Sequence, residues 1–291
     1  MIEEYPNFLK FIDNALEIAK KIPKYFSKYS NKIYCNHQKL AIIVLMQKLK
    51  LTSRGIVSWL RCNSEARLHL GLHRVPVHTT ILRFARKVGF VVERVLDIRQ
   101  ASSVAVDGTG FELESKSYYY RNVYDSDQKK RNKEYLKLSV AADTESQVVL
   151  SYKIRKKFRN DTIDFKNLLK ELKVDYVVAD KGYDSKGNRE FVLYKLKAIP
   201  FIPYRKISKV YTFRGGSKLK FDKKKYNQRS KIETIFSAIK RKYGSVIRSK
   251  SFSTQKVELI SKLIAYNIDR MSIFLLRVAP ELQINNFKYL L

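Results

Sequence analysis

The sequence has very little cysteine: Cys35 and Cys62 are the only two in 291 residues. Two thiols cannot form the disulfide framework of a small secreted protein, and free thiols are typical of a reducing, intracellular setting. With His69 and His73, which lie four residues apart, they could in principle bind zinc. The spacings match no compact zinc module, however, and Gly71 interrupts the helix that would align the two histidines. A structural zinc is therefore the less favoured interpretation.

Long apolar segments are also absent. The longest apolar run covers residues 40–46, far short of the roughly 20 residues that a membrane-spanning helix needs. Near the N-terminus, Glu3 and Glu4 stand where a secretion signal would carry basic residues. We therefore expect an intracellular protein that neither spans a membrane nor is exported.

Acidic residues are scarce relative to basic ones. The 27 Asp and Glu residues face 59 Lys and Arg residues, which gives a formal net charge of +32. A solvated surface does not require such an excess, and the positive potential that it creates suits a polyanion. The phosphate backbone of a nucleic acid is the commonest large polyanion. Composition alone leaves two alternatives open, a basic protein of membrane surfaces and a ribosomal-type RNA-binding protein.

Residues 1–98 have a helical pattern and predict a helix-turn-helix-like DNA-binding domain. Apolar residues recur with a helical period over residues 7–22, and Thr52 or Ser53 is suited to cap a further helix. Gly71 and Pro76 break one helix before a basic helix at 81–88, for which the His-Thr-Thr run at 78–80 is a candidate cap. The alternative is a plain helical bundle with a solvated basic face. The candidate DNA contacts on the basic helix are Arg83, Arg86 and Lys87.

From residue 99 to residue 291 the pattern alternates between strands and helices. The predicted strands cover residues 103–107, 116–124, 135–142, 148–154, 176–180 and 198–202. The predicted helices cover residues 162–172, 186–196, 228–243 and 254–276. A basic stretch at 204–225 is predicted to be a loop over the active face. This alternation predicts an α/β domain that follows an all-α N-terminal domain.

Two of the predicted strands end in an aspartate, Asp107 after Val-Ala-Val and Asp180 after Val-Val-Ala. A carboxylate at the carboxyl end of a strand projects from the sheet edge where α/β folds place their ligands. A single such aspartate commonly caps a helix. Two of them in one basic domain indicate a possible metal site, for which a third acid would be needed.

Glu233 can supply the third carboxylate. Tyr226, Arg229, Glu233 and Lys240 follow one another at intervals of 3, 4 and 7 residues. These intervals return to the same side of a helix, so one face would present a phenol, a guanidinium, a carboxylate and an ammonium group. The simpler alternative is an ordinary surface pair of Arg229 and Glu233.

These residues resemble a known family, the DDE-type insertion-sequence transposases of the branch with a Tyr-x2-Arg-x3-Glu-x6-Lys signature. Tyr226, Arg229, Glu233 and Lys240 fit this signature without a gap. The segment at 180–184 resembles the second-acid motif of the family, and the segment at 106–109 resembles the first. The resemblance covers about residues 101–270. Residue 160 is asparagine, where many members of the family have histidine.

The resemblance implies a ribonuclease H-like mixed sheet flanked by helices, with Asp107, Asp180 and Glu233 as catalytic ligands of two Mg²⁺ ions. Mn²⁺ is expected to substitute for Mg²⁺. In this interpretation Asp107 bridges both ions, while Asp180 and Glu233 each bind one. The site would cut DNA at transposon ends and then use the resulting 3′-hydroxyl to attack target DNA, a phosphoryl transfer that depends on alignment and charge neutralisation.

The resemblance also implies the partners and a location in the prokaryotic cytoplasm, associated with the nucleoid. The chain would bind double-stranded DNA, both the terminal inverted repeats of a transposon and the target, and would act as a homodimer because two ends are handled together. Arginine is suited to phosphate because its guanidinium can donate two hydrogen bonds at once. The expected DNA contacts in the catalytic domain are Tyr226, Arg229, Lys240, Arg205 and Lys206.

Two other functions are compatible with the same residues. One is a non-catalytic or domesticated DNA-binding protein, which would bind DNA specifically without cutting it. The other is a ribonuclease H-like nuclease or resolvase, which would prefer RNA–DNA hybrids or branched DNA to linear ends.

Overall fold

The computed structural model describes residues 4–89, 99–114, 135–156, 162–204 and 222–278. The chain forms two compact units. The helical unit comprises residues 1–96, 112–134 and 239–291, and the sheet unit comprises residues 97–111 and 135–238. The helices are α1 (Glu4–Ala19), α2 (Asn36–Lys48), α3 (Ser53–Cys62), α4 (Ser64–His69), α5 (His78–Val88), α6 (Thr162–Leu169), α7 (Lys186–Glu190), α8 (Lys223–Asn227), α9 (Ser230–Tyr243) and α10 (Phe252–Val278). The strands are β1 (Ser103–Leu113), β2 (Tyr135–Asp143), β3 (Val149–Arg155), β4 (Tyr176–Ala179), β5 (Ile199–Phe201) and β6 (Val246–Ile247).

The helical unit is built around α2 and α10, which pack against each other. Residues 40–45 of α2 are all buried, so this helix is enclosed on every side. The middle of α10 is enclosed in the same way, from Val257 to Ile268. A helix that is apolar all round belongs to a protein core or a membrane. In the part of the chain that the structure describes, no helix is both long enough and apolar enough to span a bilayer.

Asp269 on α10 joins three elements of the helical unit. Its carboxylate accepts hydrogen bonds from Lys48 Nζ at the end of α2 and from Tyr243 OH at the end of α9, each with a heavy-atom distance of 2.6 Å. Burial raises the pKa of Tyr243, and the negative charge of Asp269 and the hydrogen bond to it add to that shift. The phenol therefore stays protonated and continues to donate to Asp269.

The local capping signals have different outcomes at α3 and α5. Thr52 caps α3 as predicted, because its Oγ1 accepts a hydrogen bond of 3.1 Å from the backbone N–H of Gly55. The expected cap of α5 is wrong: this helix begins at His78 and follows Val77, which makes no side-chain cap. Arg83, Arg86 and Lys87 are exposed on α5, opposite the buried face formed by Ile81, Phe84, Ala85 and Val88.

The sheet has the order β3-β2-β1-β4-β5, with β6 paired to the last residues of β1. Strands β2 and β3 form an antiparallel hairpin, whereas β1, β4 and β5 are parallel. Alternate residues of β1 and β4 face a core that includes Phe165 of α6 and Tyr183. The expected ribonuclease H-like mixed sheet with flanking helices, together with a helical N-terminal region, is confirmed.

The predicted end of the first strand is wrong. Strand β1 does not end at Asp107 but continues to Leu113, because Phe111 and Leu113 maintain the burial alternation and residues 112–113 pair with β6. The predicted strand at 116–124 and residues 205–221 of the predicted loop lie outside the described residues. The proposed boundary between residues 1–98 and 99–291 stays a prediction, and the C-terminal helix α10 belongs to the helical unit.

Candidate active site

Asp107 and Asp180 follow paired residues on two neighbouring parallel strands. Val106 of β1 is the register partner of Ala179 of β4. Asp107 directly follows Val106, and Asp180 directly follows Ala179. Adjacent strands are about 4.8 Å apart, so the two carboxylates start from neighbouring backbone positions. Val106 belongs to the buried core, and side chains alternate along a strand, so Asp107 extends from the opposite face of the sheet.

Asp180 also begins the turn that follows β4. Its Oδ1 accepts a hydrogen bond of 2.7 Å from the backbone N–H of Lys181. The next three residues form the 3₁₀ turn Lys181–Tyr183. Capping is a common role for an aspartate at the end of a strand, so this contact explains the turn without assigning a chemical role to Asp180.

A buried ion pair, which sequence reasoning missed, holds the segment after this turn. Arg189 Nε donates a hydrogen bond of 2.9 Å to Asp184 Oδ1, and both side chains are almost completely buried. A second guanidinium nitrogen of Arg189 donates to the backbone carbonyl of Ile202 at 2.6 Å. The guanidinium carbon lies 3.9 Å from the ring centroid of Tyr204. Arg189 therefore ties the motif around Asp180 to the segment after β5, and the only signal in the sequence was an aspartate and an arginine five residues apart.

The predicted helix face from Tyr226 to Lys240 is divided between two helices. Asp222 caps α8 by accepting hydrogen bonds from the backbone N–H groups of Lys224 and Lys225. Residues 228–229 then form a turn, with the N–H of Arg229 donating to the carbonyl of Tyr226 at 2.9 Å. The expectation of one continuous face is therefore wrong at its start, because Tyr226 belongs to α8 and Glu233 to α9.

Arg229 contacts two of the three predicted metal ligands. One guanidinium nitrogen lies 3.5 Å from Asp107 Oδ2, and another donates a hydrogen bond of 2.8 Å to Glu233 Oε1. Burial opposes the charged guanidinium, but the nearby Glu233, Tyr226 and Asp107 side chains outweigh this effect and raise the pKa of Arg229. Asp107 and Glu233 thus share one permanent positive charge.

The other predicted contact residues have different locations. Lys240 lies in the part of α9 that belongs to the helical unit, where burial lowers the pKa of its ammonium group and Glu112 partly compensates. Arg83, Arg86 and Lys87 belong to the helical unit as well. Arg205 and Lys206 lie outside the described residues. Two of the residues considered as zinc ligands have other contacts. Cys35 Sγ accepts a hydrogen bond from the backbone N–H of Gln38, and His69 pairs with Asp13.

The three carboxylates fit a hard divalent cation by their chemistry, because Mg²⁺ prefers oxygen ligands. In the described ranges, no group of three or more His, Cys, Asp or Glu side chains is close enough to hold a metal ion. Arg229 contacts both Asp107 and Glu233, so its guanidinium neutralises two of the three carboxylates that would hold the cation.

Comparison with known proteins identifies the family. A family model described as a transposase DDE domain matches residues 99–268, which is more than half of the chain. No curated protein sequence matches significantly. The structure is similar to the cryo-EM structure of the piggyBac transposase synaptic complex with hairpin DNA, with a TM-score of 0.53, 11% sequence identity, and coverage of 91% of this chain and 74% of that chain. At this identity the similarity concerns the fold. The chain belongs to the transposase DDE domain family and is an enzyme that acts on DNA.

Proposed function

We propose that this transposase cleaves DNA at transposon ends and joins the resulting 3′-hydroxyl to target DNA, with Asp107, Asp180 and Glu233 as ligands of two Mg²⁺ ions. The observation that carries the proposal is that strand pairing and the contacts of Arg229 connect the three segments that bear these acids. Val106 and Ala179 pair in the sheet immediately before the two aspartates, and Arg229 links Asp107 to Glu233.

The chemistry requires little covalent help from the protein. In phosphoryl transfer the attacking and leaving oxygens must be aligned and their developing charge neutralised. Bound Mg²⁺ would supply that neutralisation and lower the pKa of an attacking water. Asp107, which directly follows the residue of β1 that pairs with the last residue of β4, would hold both ions, whereas Asp180 and Glu233 would hold one each. Mn²⁺ would bind the same oxygen ligands.

The cations around the acids would hold the DNA. Arg229 can exchange its contacts with Asp107 and Glu233 for a phosphate, to which a guanidinium donates two hydrogen bonds. Tyr226 and Lys240 would contact neighbouring phosphates, and Arg205 and Lys206 would add further contacts. Tyr226 is proposed as a phosphate contact and not as a nucleophile. A transposon has two ends that are handled together, so we propose that a homodimer acts in the DNA complex.

The proposed test is a cleavage assay on DNA that flanks the gene and carries short inverted repeats. We expect Mg²⁺-dependent cuts at the repeat ends that leave 3′-hydroxyls. Asp107→Asn, Asp180→Asn and Glu233→Gln should each reduce the rate by more than about 100-fold, the loss typical of removing an electrostatic contact to a transition state. Glu171→Gln, which changes an exposed carboxylate paired with Lys170, is the matched control.

Three results would redirect the proposal. Specific binding of the ends without cleavage in Mg²⁺ or Mn²⁺ would indicate a non-catalytic DNA-binding protein. Cleavage that is retained in Asp180→Asn would show that the site assignment is wrong. Preferred cutting of RNA–DNA hybrids would indicate a ribonuclease H-like nuclease.

A further inference from the structure

The segment between α1 and α2 combines positive charge with exposed aromatic rings. We call residues 23–34 the basic aromatic loop; its sequence is Pro-Lys-Tyr-Phe-Ser-Lys-Tyr-Ser-Asn-Lys-Ile-Tyr. The loop lies inside a longer stretch, residues 18–64, that contains ten Lys and Arg residues and no Asp or Glu. Lys24, Lys28 and Lys32 form no ion pair with any described residue. The charge of this loop is thus not neutralised by a neighbouring carboxylate among the described residues.

Large apolar side chains of the loop are exposed. Tyr29 is 84% exposed, Ile33 is 62% exposed and Phe26 is 41% exposed. Single exposed apolar side chains are ordinary, but three of the eleven described ones fall within eight residues here. The ammonium group of Lys28 lies 5.1 Å from the centroid of the Tyr29 ring. An exposed aromatic face beside cations is suited to a ligand that has both flat rings and negative charge.

Contacts of Asn36 and Phe26 fix the conformation of the loop. Asn36 connects it to α2, because its backbone N–H donates to the carbonyl of Lys24 and its side chain donates to the carbonyl of Pro23, both at 2.9 Å. The ring of Phe26 stacks on Phe84 of α5 with a centroid distance of 6.0 Å. A loop with a fixed conformation loses less entropy when it binds, so the exposure of Tyr29 is compatible with binding.

The surface beside the loop is also basic. Lys39 of α2 lies 5.0 Å from the centroid of the Phe84 ring. Burial lowers the pKa of Lys39, with a smaller opposing effect of Cys35 and a further lowering by Lys87 of α5. Two ammonium groups that repel each other are stabilised when the negative charge of a phosphate lies near both. Lys39 therefore lies close to the loop, because it and Phe26 contact the same Phe84 ring.

We propose that the basic aromatic loop binds a single-stranded or unpaired segment of DNA, with Tyr29 stacked on a base and Lys28 and Lys32 near its phosphates. Stacking selects this ligand, because the faces of the bases are accessible only where a strand is unpaired, whereas lysines alone would bind any duplex. Cutting a transposon end leaves strands of this kind. The inference rests on the proposed function in that the ligand is DNA.

The test measures binding of fluorescein-labelled DNA to the full chain by anisotropy, in EDTA so that no cleavage takes place. The probes are a single strand of roughly 20 nucleotides and the blunt duplex of the same sequence. We expect Tyr29→Ala to weaken single-strand binding by about 5- to 100-fold, the effect of losing one stacked base, with duplex binding changed by less than about 2-fold. Tyr29→Phe should retain the affinity, because phenylalanine keeps the ring.

Two controls make the result decisive. Tyr194→Ala removes a tyrosine that is 62% exposed in the sheet unit and should leave both affinities unchanged. Replacing Lys28 and Lys32 with Gln should weaken the binding of both probes. The proposal is overturned if Tyr29→Ala binds the single strand as tightly as the unchanged chain, or if it weakens both probes equally. Because no metal is present, a failure of this test is distinct from a failure of cleavage.

Discussion

At the scale of single residues, Arg229 contacts two carboxylates that we also propose as metal ligands. Its guanidinium contacts Asp107 at 3.5 Å and Glu233 at 2.8 Å. A cation in this place neutralises two carboxylates, and a divalent metal ion would do the same through direct coordination. In the proposed site, Arg229 would therefore compete with the metal for these two acids when DNA is absent.

This competition predicts that Arg229→Gln binds Mn²⁺ more tightly than the unchanged protein when DNA is absent. We expect a several-fold gain in affinity, because Glu233 is 57% exposed and ion pairs near the surface contribute about 0.2–1 kcal/mol each. Electron paramagnetic resonance of free Mn²⁺ measures the effect. Lys231→Gln, which removes a half-buried cation from the same helix, is the control. Equal affinities for the two variants would show that Arg229 does not compete.

Arg189 illustrates a different role, since it is buried and contacts Asp184, the carbonyl of Ile202 and the ring of Tyr204. We predict that Arg189→Met lowers the free energy of unfolding by about 3–5 kcal/mol, because Asp184 would remain as an unpaired buried charge. Urea unfolding measures this loss. Lys186→Met removes the exposed pair with Glu190, whose charged atoms are 3.9 Å apart, and should cost less than about 1 kcal/mol. Similar losses in both variants would contradict the prediction.

At the scale of elements, the periodicity of the sequence predicted the sheet and most helices, but contacts between distant segments decided the details. The Val-Val-Ala run before Asp180 predicts β4 from local pattern alone. The true end of β1 depends on pairing with β6, which is more than 130 residues away in the chain. The pair of Asp184 and Arg189 was missed for a similar reason, since its burial is created by the segment around Ile202. Helical spacing suggested the pair of Arg229 and Glu233 as the simpler alternative, whereas the contact of Arg229 with Asp107 depends on the fold.

The C-terminal end of α9 provides a prediction on pH dependence. The folded protein raises the pKa of Tyr243 above its ordinary value of 10.0, so the folded state retains a proton that the unfolded state loses at alkaline pH. The contribution of Tyr243 to stability is therefore fully present below pH 10.0 and decreases as the pH rises beyond it.

Tyr243→Phe should lower the free energy of unfolding by about 1 kcal/mol at pH 7, because it removes the hydrogen bond to Asp269. Above pH 10.0 the unchanged protein should lose this advantage at about 1.4 kcal/mol per pH unit. Urea unfolding of both proteins at neutral and alkaline pH measures the difference. A difference that stays constant up to pH 11 would show that Tyr243 ionises equally in both states.

At the scale of the whole molecule, the formal net charge of +32 controls the affinity for DNA. Binding to duplex DNA releases counterions, so the logarithm of the affinity should fall linearly with the logarithm of the salt concentration, by about 0.9 per phosphate contact. Replacing Arg83, Arg86 and Lys87 with Gln should reduce this slope by up to about 3 if α5 contacts phosphates. Fluorescence anisotropy at several salt concentrations measures the slope.

The matched control for this prediction replaces three exposed lysines of the sheet unit, Lys170, Lys195 and Lys197. Both triple variants lower the net charge by the same amount. An equal reduction of the slope in both would mean that the basic character of α5 acts only through the total charge, and the helix-turn-helix interpretation would lose its support.

The packing of α10 against α2 and α5 has a consequence for the order in which the protein is made. The ribosome produces α2 and α5 early, but their shared partner α10 is the last described helix to be synthesised. Translation proceeds at about 5–20 residues per second, so many seconds pass between the synthesis of α5 and that of α10. By then Asp107, Asp180 and Glu233 have already been translated. A nascent chain that stops early would therefore lack a finished helical unit, so we expect truncated translation products to be poor competitors for DNA.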